Sequence, residues 1–204
     1  MMYLFGASGH GKVIAEAAEA SGWEISGFVD ENPAIQSLLK YPVFREIPAA
    51  ARELLISIGD NFTRKRIATQ LDHYSFPIII HPFSSISPTS EIGAGTVVLS
   101  GVSVNAGAKI GNHCILNTNS SIDHDCELGD FVHISPNAAL AGDVKVGEGT
   151  HIGMGASVIQ GVKIGEWAVI GAGAVVIRDV PDFAVMVGNP AKQIKSVENT
   201  NRDR

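Results

Sequence analysis

The chain has 204 residues and a formal net charge of −6, and this length suits one or two domains. An acidic chain without a lysine or arginine cluster is unlike a nucleic-acid-binding protein. No apolar run reaches the roughly 18 residues that a membrane-spanning helix needs, and the N-terminus lacks the basic segment of a signal peptide. We therefore expect a cytoplasmic protein that acts without nucleic acid or membrane.

The N-terminal part of the chain, up to position 80, predicts alternating strands and helices. The strand patterns lie at residues 2–5, 25–29 and 54–58, and the helix patterns at residues 12–20 and 63–71. The resulting order β-α-β-α-β predicts a small parallel sheet of Rossmann type, which we assign to a domain of residues 1–80.

The carboxyl ends of these strands carry candidate binding residues, because parallel sheets of this type bind ligands there. The first strand ends in a G-x-x-G-x-G loop at residues 6–11, the second in Asp30 and Glu31, and the third in Gly59. The backbone N–H groups of such a loop suit a phosphate, with Ser8 and His10 as further donors. The acidic pair suits sugar hydroxyls. A ligand-free turn and a solvated strand end explain the same residues.

An aliphatic residue stands at every sixth position from Ile86 to Val176, sixteen times without a break. A period of six fits neither a helix nor an ordinary strand. It is typical of a parallel β-helix, in which three short strands make one coil of about 18 residues. Sixteen strands predict about five coils over residues 81–180, with the aliphatic side chains stacked inside. Small residues four places later, among them Cys114 and Cys126, are expected to be buried.

Two further features of the repeat carry structural expectations. Glycine or asparagine often follows the aliphatic residue, as at Gly147, Gly153 and Asn105, and we expect the corner to require a positive φ there. Residues 181–204 leave the repeat. We expect them to form an irregular C-terminal tail whose end, from Ser196 onward, is frayed.

His124 is the candidate for chemistry on the β-helix, since it stands at a corner with Asp125 beside it. A neutral imidazole can remove a proton near neutral pH, and a neighbouring carboxylate can hold its tautomer. One coil of about 18 residues places Gly142 about 5 Å from His124. A glycine there leaves room for a ligand and offers a backbone N–H to an oxyanion. A plain surface histidine is the alternative reading.

Two other pairs of residues are also separated by one coil length and should lie on neighbouring coils. His133 and His151 are expected to stack, but no third metal ligand stands in step, so we expect no metal. Met154 and Ala172 share another corner, where they can line a groove parallel to the β-helix axis.

Four parts of the chain together resemble a known enzyme family. They are the loop at residues 6–11, the hexapeptide repeat, residues 115–126 and the Gly-Asn-Pro-Ala-Lys segment at residues 188–192. This combination is similar to the sugar acetyltransferases of bacterial surface-glycan synthesis, in particular the bacillosamine, perosamine and sialic-acid acetyltransferases. The resemblance covers nearly the whole chain. It implies a left-handed β-helix and a homotrimer, with acetyl-CoA between neighbouring β-helices.

The resemblance also implies roles for single residues. His124 is the implied general base, and Asp125, where the subgroup often has Glu, is its partner. The implied acetyl-CoA contacts are His133, Gly142, Met154 and Ala172. The implied contacts to a nucleotide-linked sugar are Ser8, Gly9, His10, Asp30, Glu31 and Gly59, with Asn117 placing the acceptor.

The function we predict is acetyl transfer from acetyl-CoA to the 4-amino group of a UDP-linked 4-amino-4,6-dideoxy sugar. Direct attack is expected, because no activated Ser or Cys nucleophile is evident. Three alternatives stay open: an O-acetyltransferase of sialic acid or its CMP form, a metal-dependent hydratase of carbonic anhydrase type, and a non-catalytic scaffold. Acceptor preference, metal content and CoA binding distinguish them.

Overall fold

The computed structural model describes residues 2–197. Its N-terminal part consists of β1 (Met2–Phe5), α1 (Gly9–Ala20), β2 (Ile25–Val29), β3 (Ser37–Leu38), β4 (Tyr41–Phe44), β5 (Glu53–Ile56) and α2 (Asn61–Gln70). The sheet order is β3-β4-β2-β1-β5. Strands β4, β2, β1 and β5 run parallel, and β3 pairs antiparallel with β4 at the edge. The predicted parallel sheet is present, while its Rossmann type stays a prediction.

Three boundaries differ from the predicted ones by two or three residues. Helix α1 begins at Gly9, three residues before the predicted start, so that its first turn includes part of the glycine loop. Strand β5 stops at Ile56, two residues early, and the next side chain, Ser57, donates a hydrogen bond to the Gly6 carbonyl. Helix α2 begins two residues early because the Asp60 carboxylate accepts a hydrogen bond from the Thr63 N–H at 2.8 Å and caps it. The short strands β3 and β4 were not predicted.

The rest of the chain forms a parallel β-solenoid of two-residue strands, which recur at every sixth position. In the described residues these strands are β6 (Ile79–Ile80), β7 (Ser85–Ile86), β8 (Glu91–Ile92), β9 (Val97–Val98), β10 (Ser103–Val104), β11 (Lys109–Ile110), β12 (Ile115–Leu116), β13 (Ser121–Ile122), β14 (Glu127–Leu128), β15 (His133–Ile134), β16 (Ala139–Leu140), β17 (Lys145–Val146), β18 (His151–Ile152), β19 (Ser157–Val158), β20 (Lys163–Ile164), β21 (Val169–Ile170) and β22 (Val175–Val176). Each strand pairs in parallel with the third strand along the chain, as Ser121 with Ala139. The predicted coil length is confirmed.

The solenoid has three faces, which we name after one strand each. The β13 face holds β7, β10, β13, β16, β19 and β22; the β14 face holds β8, β11, β14, β17 and β20; and the β15 face holds β6, β9, β12, β15, β18 and β21. Three edges join the faces. We name them the His124 edge (residues 105–108, 123–126, 141–144 and 159–162), the Trp167 edge (93–96, 111–114, 129–132, 147–150 and 165–168) and the Met154 edge (99–102, 117–120, 135–138, 153–156 and 171–174).

The interior of the solenoid is the predicted aliphatic stack. Fourteen of the sixteen periodic residues, from Val98 to Val176, are buried in one cluster, and Ile86 and Ile92 pack against it at one end. Cys114 and Cys126 are buried free thiols in the same core. The N-terminal domain shares a second core with the solenoid, because Leu4 and Ile14 pack in one cluster with Val97. The two parts are therefore joined by continuous apolar packing.

The solenoid is longer than the about five coils predicted from the repeat. Its strands begin one step before the predicted repeat, at Ile79–Ile80, and pairing continues beyond Val176. Strand β23 (Ala184–Val187) lies parallel on β21, and β24 (Lys192–Ser196) pairs antiparallel with β23. The prediction of an irregular tail is therefore wrong for these residues, because their backbone groups complete the exposed edge of the β15 face. The expected fraying lies outside the described residues beyond position 197.

The expectation that glycine after the aliphatic residue has a positive φ is wrong. The left-handed positions stand three places after the aliphatic residue, as at Asp125 (φ 58°), Gly155 (φ 66°) and Trp167 (φ 53°). At Gly147 the reason for glycine is close approach of the neighbouring coil, because a Cβ there would lie 2.6 Å from the Glu166 nitrogen.

One substitution made at two sites distinguishes close approach from a need for positive φ. Gly155→Asn should cost less than about 1 kcal/mol of unfolding free energy, because asparagine tolerates the left-handed region and nothing lies within 4 Å of its Cβ. Gly147→Asn should cost about 2 kcal/mol or more through overpacking. Denaturant unfolding at one protein concentration measures both, and equal costs would contradict this account.

Neither helix in residues 2–197 is long and apolar enough to cross a membrane.

Candidate active site

His124 and Asp125 form a hydrogen-bonded pair on the His124 edge. The Nδ1 atom of His124 lies 2.9 Å from the Asp125 carboxylate, and both side chains are exposed. Asp125 stands at the left-handed position of the corner (φ 58°), which short polar residues tolerate. With its Nδ1–H donated to Asp125, a neutral His124 keeps Nε2 as a free proton acceptor.

Neighbouring carboxylates make His124 a stronger base. The Asp123 carboxylate accepts hydrogen bonds from the His124 N–H and from the Asn105 amide, both at 2.8 Å. The hydrogen bond to Asp125, followed by the charge of Asp123 and, more weakly, that of Asp143, raises the pKa of His124. An anionic neighbour favours the protonated ring, so the imidazolium that forms during proton transfer is stabilised.

Gly142 lies beside His124 on the next coil, as the coil spacing predicts. A Cβ at this glycine would stand 2.6 Å from both Cε1 and Nε2 of His124, so a larger residue would displace the ring. The Gly142 N–H makes no hydrogen bond with any residue from 2 to 197. An unused backbone donor and the free Nε2 therefore lie next to each other on this edge.

A second site lies between the N-terminal domain and the β15 face. It is a cavity of about 470 Å³. The N-terminal domain contributes His10, Gly59, Asp60, Asn61 and Phe62, and the solenoid contributes His133, Gly149, His151, Trp167 and Val169. The structure thus brings the predicted residues His10, Gly59 and His133 together.

The histidines of this cavity form a stack of neutral rings. The rings of His133 and His151 are parallel with centroids 4.8 Å apart, and His10 lies 6.2 Å from His133. Burial lowers the pKa of His133 to about 3 and that of His10 to about 4, because a charged ring loses its hydration there. At neutral pH these rings can donate and accept hydrogen bonds without carrying charge.

The hydrogen bonds of the histidine stack leave one buried nitrogen unsatisfied. Asn117 contacts Nε2 of His133 at 3.2 Å, so it holds a ring of the cavity wall without lining the cavity itself. Nε2 of His10 is buried without a hydrogen-bond partner among the described residues, whereas the Gly59 backbone interacts with the His133 ring and partly offsets the lowering of its pKa. Buried polar atoms normally have a partner, so the His10 nitrogen is an atom of the stack that the protein itself leaves unsatisfied.

The carboxyl end of the N-terminal sheet is partly used by the fold itself. The Asp30 carboxylate accepts hydrogen bonds from the Ala7 N–H at 2.7 Å and the Asn32 N–H at 2.9 Å, so it ties two loops together. Glu31 is exposed. Ser8 is the N-cap residue of α1 but makes no side-chain cap bond, which leaves its hydroxyl and the helix N-terminus open.

The predicted site residues lie in three groups on one chain. His124, Asp125 and Gly142 share the His124 edge, which is opposite the β15 face where the cavity and the N-terminal domain lie. Met154 and Ala172 lie on the Met154 edge, where the Gly173 N–H donates to the Met154 carbonyl and Met154 is 57% exposed. One chain therefore does not bring the three groups to one point.

Sequence reasoning missed Asn61, Phe62 and Trp167 in the cavity wall. Trp167 stands one coil after Gly149, so the coil spacing could have placed these two residues side by side. In the described part of the chain, no group of three or more His, Cys, Asp or Glu side chains is arranged to hold a metal ion.

Two family matches cover separate parts of the chain. Residues 2–71 match the PglD N-terminal domain, and residues 143–178 match the six-repeat bacterial transferase hexapeptide family.

Three solved structures are similar over nearly the full length. Perosamine N-acetyltransferase from Caulobacter crescentus, in a variant bound to CoA and GDP-perosamine, is 38% identical over 96% of this chain and 97% of its own, with a TM-score of 0.92. The acetyltransferase domain of PglB from Neisseria gonorrhoeae is 37% identical over 95% and 98%, with a TM-score of 0.89. WeeI from Acinetobacter baumannii is 27% identical over 95% and 99%, with a TM-score of 0.86.

The His124–Asp125 pair makes a prediction that nuclear magnetic resonance can check. The imidazole of His124 should titrate above the ordinary histidine value, and Asp125→Asn should lower its pKa, because an amide does not favour the imidazolium as a carboxylate does. Asparagine also tolerates the left-handed backbone at this position. The resonance is assigned by its loss in His124→Ala. An unchanged pKa in Asp125→Asn would disprove the pairing.

Proposed function

The chain belongs to the sugar acetyltransferases of the hexapeptide-repeat superfamily, which are acetyl-CoA-dependent enzymes, and we propose that it acetylates the 4-amino group of a nucleotide-linked 4-amino-4,6-dideoxy sugar. The observation that carries this proposal is the exposed His124, whose pKa is raised by Asp125 and whose Nε2 lies beside Gly142. A base with these properties suits an acceptor that must lose a proton as it attacks.

In this mechanism the sugar amine attacks the thioester carbonyl of acetyl-CoA directly. Nε2 of His124 takes the proton of the attacking amine, and Asp125 stabilises the imidazolium. The Gly142 N–H donates to the oxyanion of the tetrahedral intermediate. When the intermediate collapses, the C–S bond breaks, and the imidazolium returns its proton to the leaving CoA thiolate.

We assign the remaining predicted residues to the two substrates. Acetyl-CoA is bound by His133, Gly142, Met154 and Ala172. The nucleotide-linked sugar is bound by Ser8, Gly9, His10, Asp30, Glu31 and Gly59, and Asn117 places the acceptor. The open N-terminus of α1 supports phosphate binding, and the unpartnered Nε2 of His10 supports a contact to the sugar. Asp30 acts mainly by holding the loop, since its carboxylate already binds Ala7 and Asn32.

A neighbouring subunit completes each active site in this proposal. The supporting observation is that the His124 edge lies opposite the face that carries the N-terminal domain, and we infer that a sugar held by one chain meets the base of a neighbour. A closed homotrimer of left-handed β-helices places the His124 edge of one subunit against the next. The Rossmann type of the N-terminal domain and a cytoplasmic location complete the proposal.

The nucleotide is the least constrained part of the substrate. We propose UDP, which the resemblance to the bacillosamine subgroup implies. A GDP-linked sugar is the second candidate, because the Caulobacter enzyme with 38% identity was solved with GDP-perosamine. An O-acetyltransferase acting on sialic acid would use the same base with a hydroxyl acceptor.

Labelled acetyl-CoA and a panel of acceptors test the proposal. The purified enzyme should acetylate 4-amino-4,6-dideoxy sugars linked to UDP, with GDP-linked sugars as slower substrates and sialic acid or its CMP form unmodified. In His124→Ala, kcat should fall by roughly 10²–10⁴ because the general base is lost, whereas His73→Ala, at another exposed histidine, should retain wild-type turnover.

Each outcome of this assay has one meaning. Acetylation of sialic acid alone would establish the O-acetyltransferase. Faster transfer to GDP-linked than to UDP-linked sugars would show that GDP is the nucleotide of the natural substrate. Near-normal turnover in His124→Ala would remove His124 as the base. Absence of transfer to every acceptor would refute the proposed function.

A further inference from the structure

Helix α2 docks on the Trp167 edge through residues that repeat with the coil. The carbonyls and rings it contacts belong to His113, Phe131, Gly149 and Trp167, which follow one another at one-coil intervals and occupy the same corner of successive coils. All four have a positive φ. The helix therefore lies against an edge whose backbone looks nearly the same at every coil.

Arg64 is the central residue of this contact. Its guanidinium donates to the carbonyls of His113 and Phe131 on the solenoid, each at 2.8 Å. It also donates to the Ile58 and Gly59 carbonyls at 3.1 and 3.2 Å and to the Asn61 side chain at 2.8 Å. Arg64 is only 1% exposed, and no carboxylate in the described residues forms an ion pair with it.

A buried arginine whose only partners are carbonyl oxygens contributes little net stability to a fold, because its desolvation is unfavourable. Desolvating a charge costs several kcal/mol even after relaxation, and apolar side chains often stabilise such a site as well or better. The special property of arginine is its rigid fork of five donors, which can bind several acceptors in fixed directions. Here the fork joins the loop that carries Gly59 to two coils of the solenoid at once.

Two neighbours of Arg64 distinguish one coil from the next. The Asn61 amide donates to the Gly149 carbonyl at 2.9 Å, and the Phe62 ring stacks on Trp167 with centroids 4.0 Å apart. Gly149 must be small, because a Cβ there would collide with the Trp167 ring. Gly149 and Trp167 occupy the same corner of neighbouring coils. This pair therefore marks one position along the edge at which α2 fits.

We propose that Arg64 is a positioning residue for acetyl transfer: it holds the sugar-binding loop with Gly59 at the height along the solenoid that the Asn61–Gly149 and Phe62–Trp167 contacts select. This inference rests on the proposed function. A shift by one coil would move that loop by about 4.8 Å, whereas reacting atoms must approach to about 3–3.5 Å with correct alignment. Arg64 also acts on the cavity by charge: burial is the main cause of the lowered pKa of His10, and the Arg64 cation lowers it further.

Arg64→Lys, with Arg66→Lys as its matched control, tests this role. Arg66 is on the same helix and exposed, and its side chain forms no hydrogen bond or ion pair with residues 2–197. A lysine at position 64 keeps the charge but cannot span three segments with one ammonium group. In Arg64→Lys, kcat for the nucleotide-linked sugar should fall about tenfold or more through misplacement. The KM for acetyl-CoA should stay within about twofold, because tethering of the sugar, and not acetyl-CoA binding, is disturbed.

The same amino sugar without its nucleotide is the second acceptor in this test. It is not tethered by the N-terminal domain, so its kcat/KM should be equal in Arg64→Lys, Arg66→Lys and the wild type. A residue that only stabilises the fold would lower the rates with both acceptors in proportion, and that result would overturn the inference. Wild-type rates in Arg64→Lys with the nucleotide-linked sugar would overturn it as well.

Hydrogen exchange measured by mass spectrometry gives a readout that does not depend on activity. Amides of residues 58–63 should exchange faster in Arg64→Lys than in the wild type or Arg66→Lys, while β1 and the solenoid strands keep their protection. Unchanged exchange at residues 58–63 would refute the positioning role. If the wild type transferred acetyl to no acceptor, the proposed function would fail, and the exchange result would still decide whether Arg64 positions the loop.

Discussion

The stacking of parallel coils at a fixed step along the sequence is the constraint on which the whole structure depends. Each corner donates and accepts backbone hydrogen bonds with the corner directly above or below it, as the Asp143 N–H does with the His124 carbonyl at 2.9 Å. The interior side chains stack in the same register. One inserted residue would shift every later residue by one position and destroy these alignments. The functional residues are therefore held by the backbone of neighbouring coils.

This rigid frame explains both what the chain can assemble and what it cannot. It holds Gly142 against His124 and His133 against His151, and it gives helix α2 a periodic edge on which to dock. The same rigidity keeps the His124 edge opposite the β15 face. In the proposed mechanism, the base and the sugar-binding loop therefore come from neighbouring copies of the chain.

The parts of the structure that sequence reasoning predicted are those that follow from counting residues. Sixfold spacing and three strands to a coil are enough to place Gly142 beside His124. Residue spacing could not predict why position 147 is a glycine, because the reason is the close approach of the neighbouring coil. The hydrogen bond between Asp30 and Ala7 and the burial of Arg64 depend on packing between segments far apart in the sequence. Strands β23 and β24 were missed because no period marks them.

Subunit complementation tests most directly whether the active site forms between neighbouring chains. His124→Ala removes the base, and Gly9→Glu places a carboxylate at the open N-terminus of α1, where nothing within 4 Å would be displaced by its Cβ. Alone, His124→Ala should keep about 1% of wild-type activity or less, and Gly9→Glu should lose transfer to the nucleotide-linked sugar. Equal co-expression should restore about a quarter of wild-type activity, because about a quarter of the interfaces in a random trimer join an intact loop to an intact base. Co-expressed variants without activity would contradict a shared site.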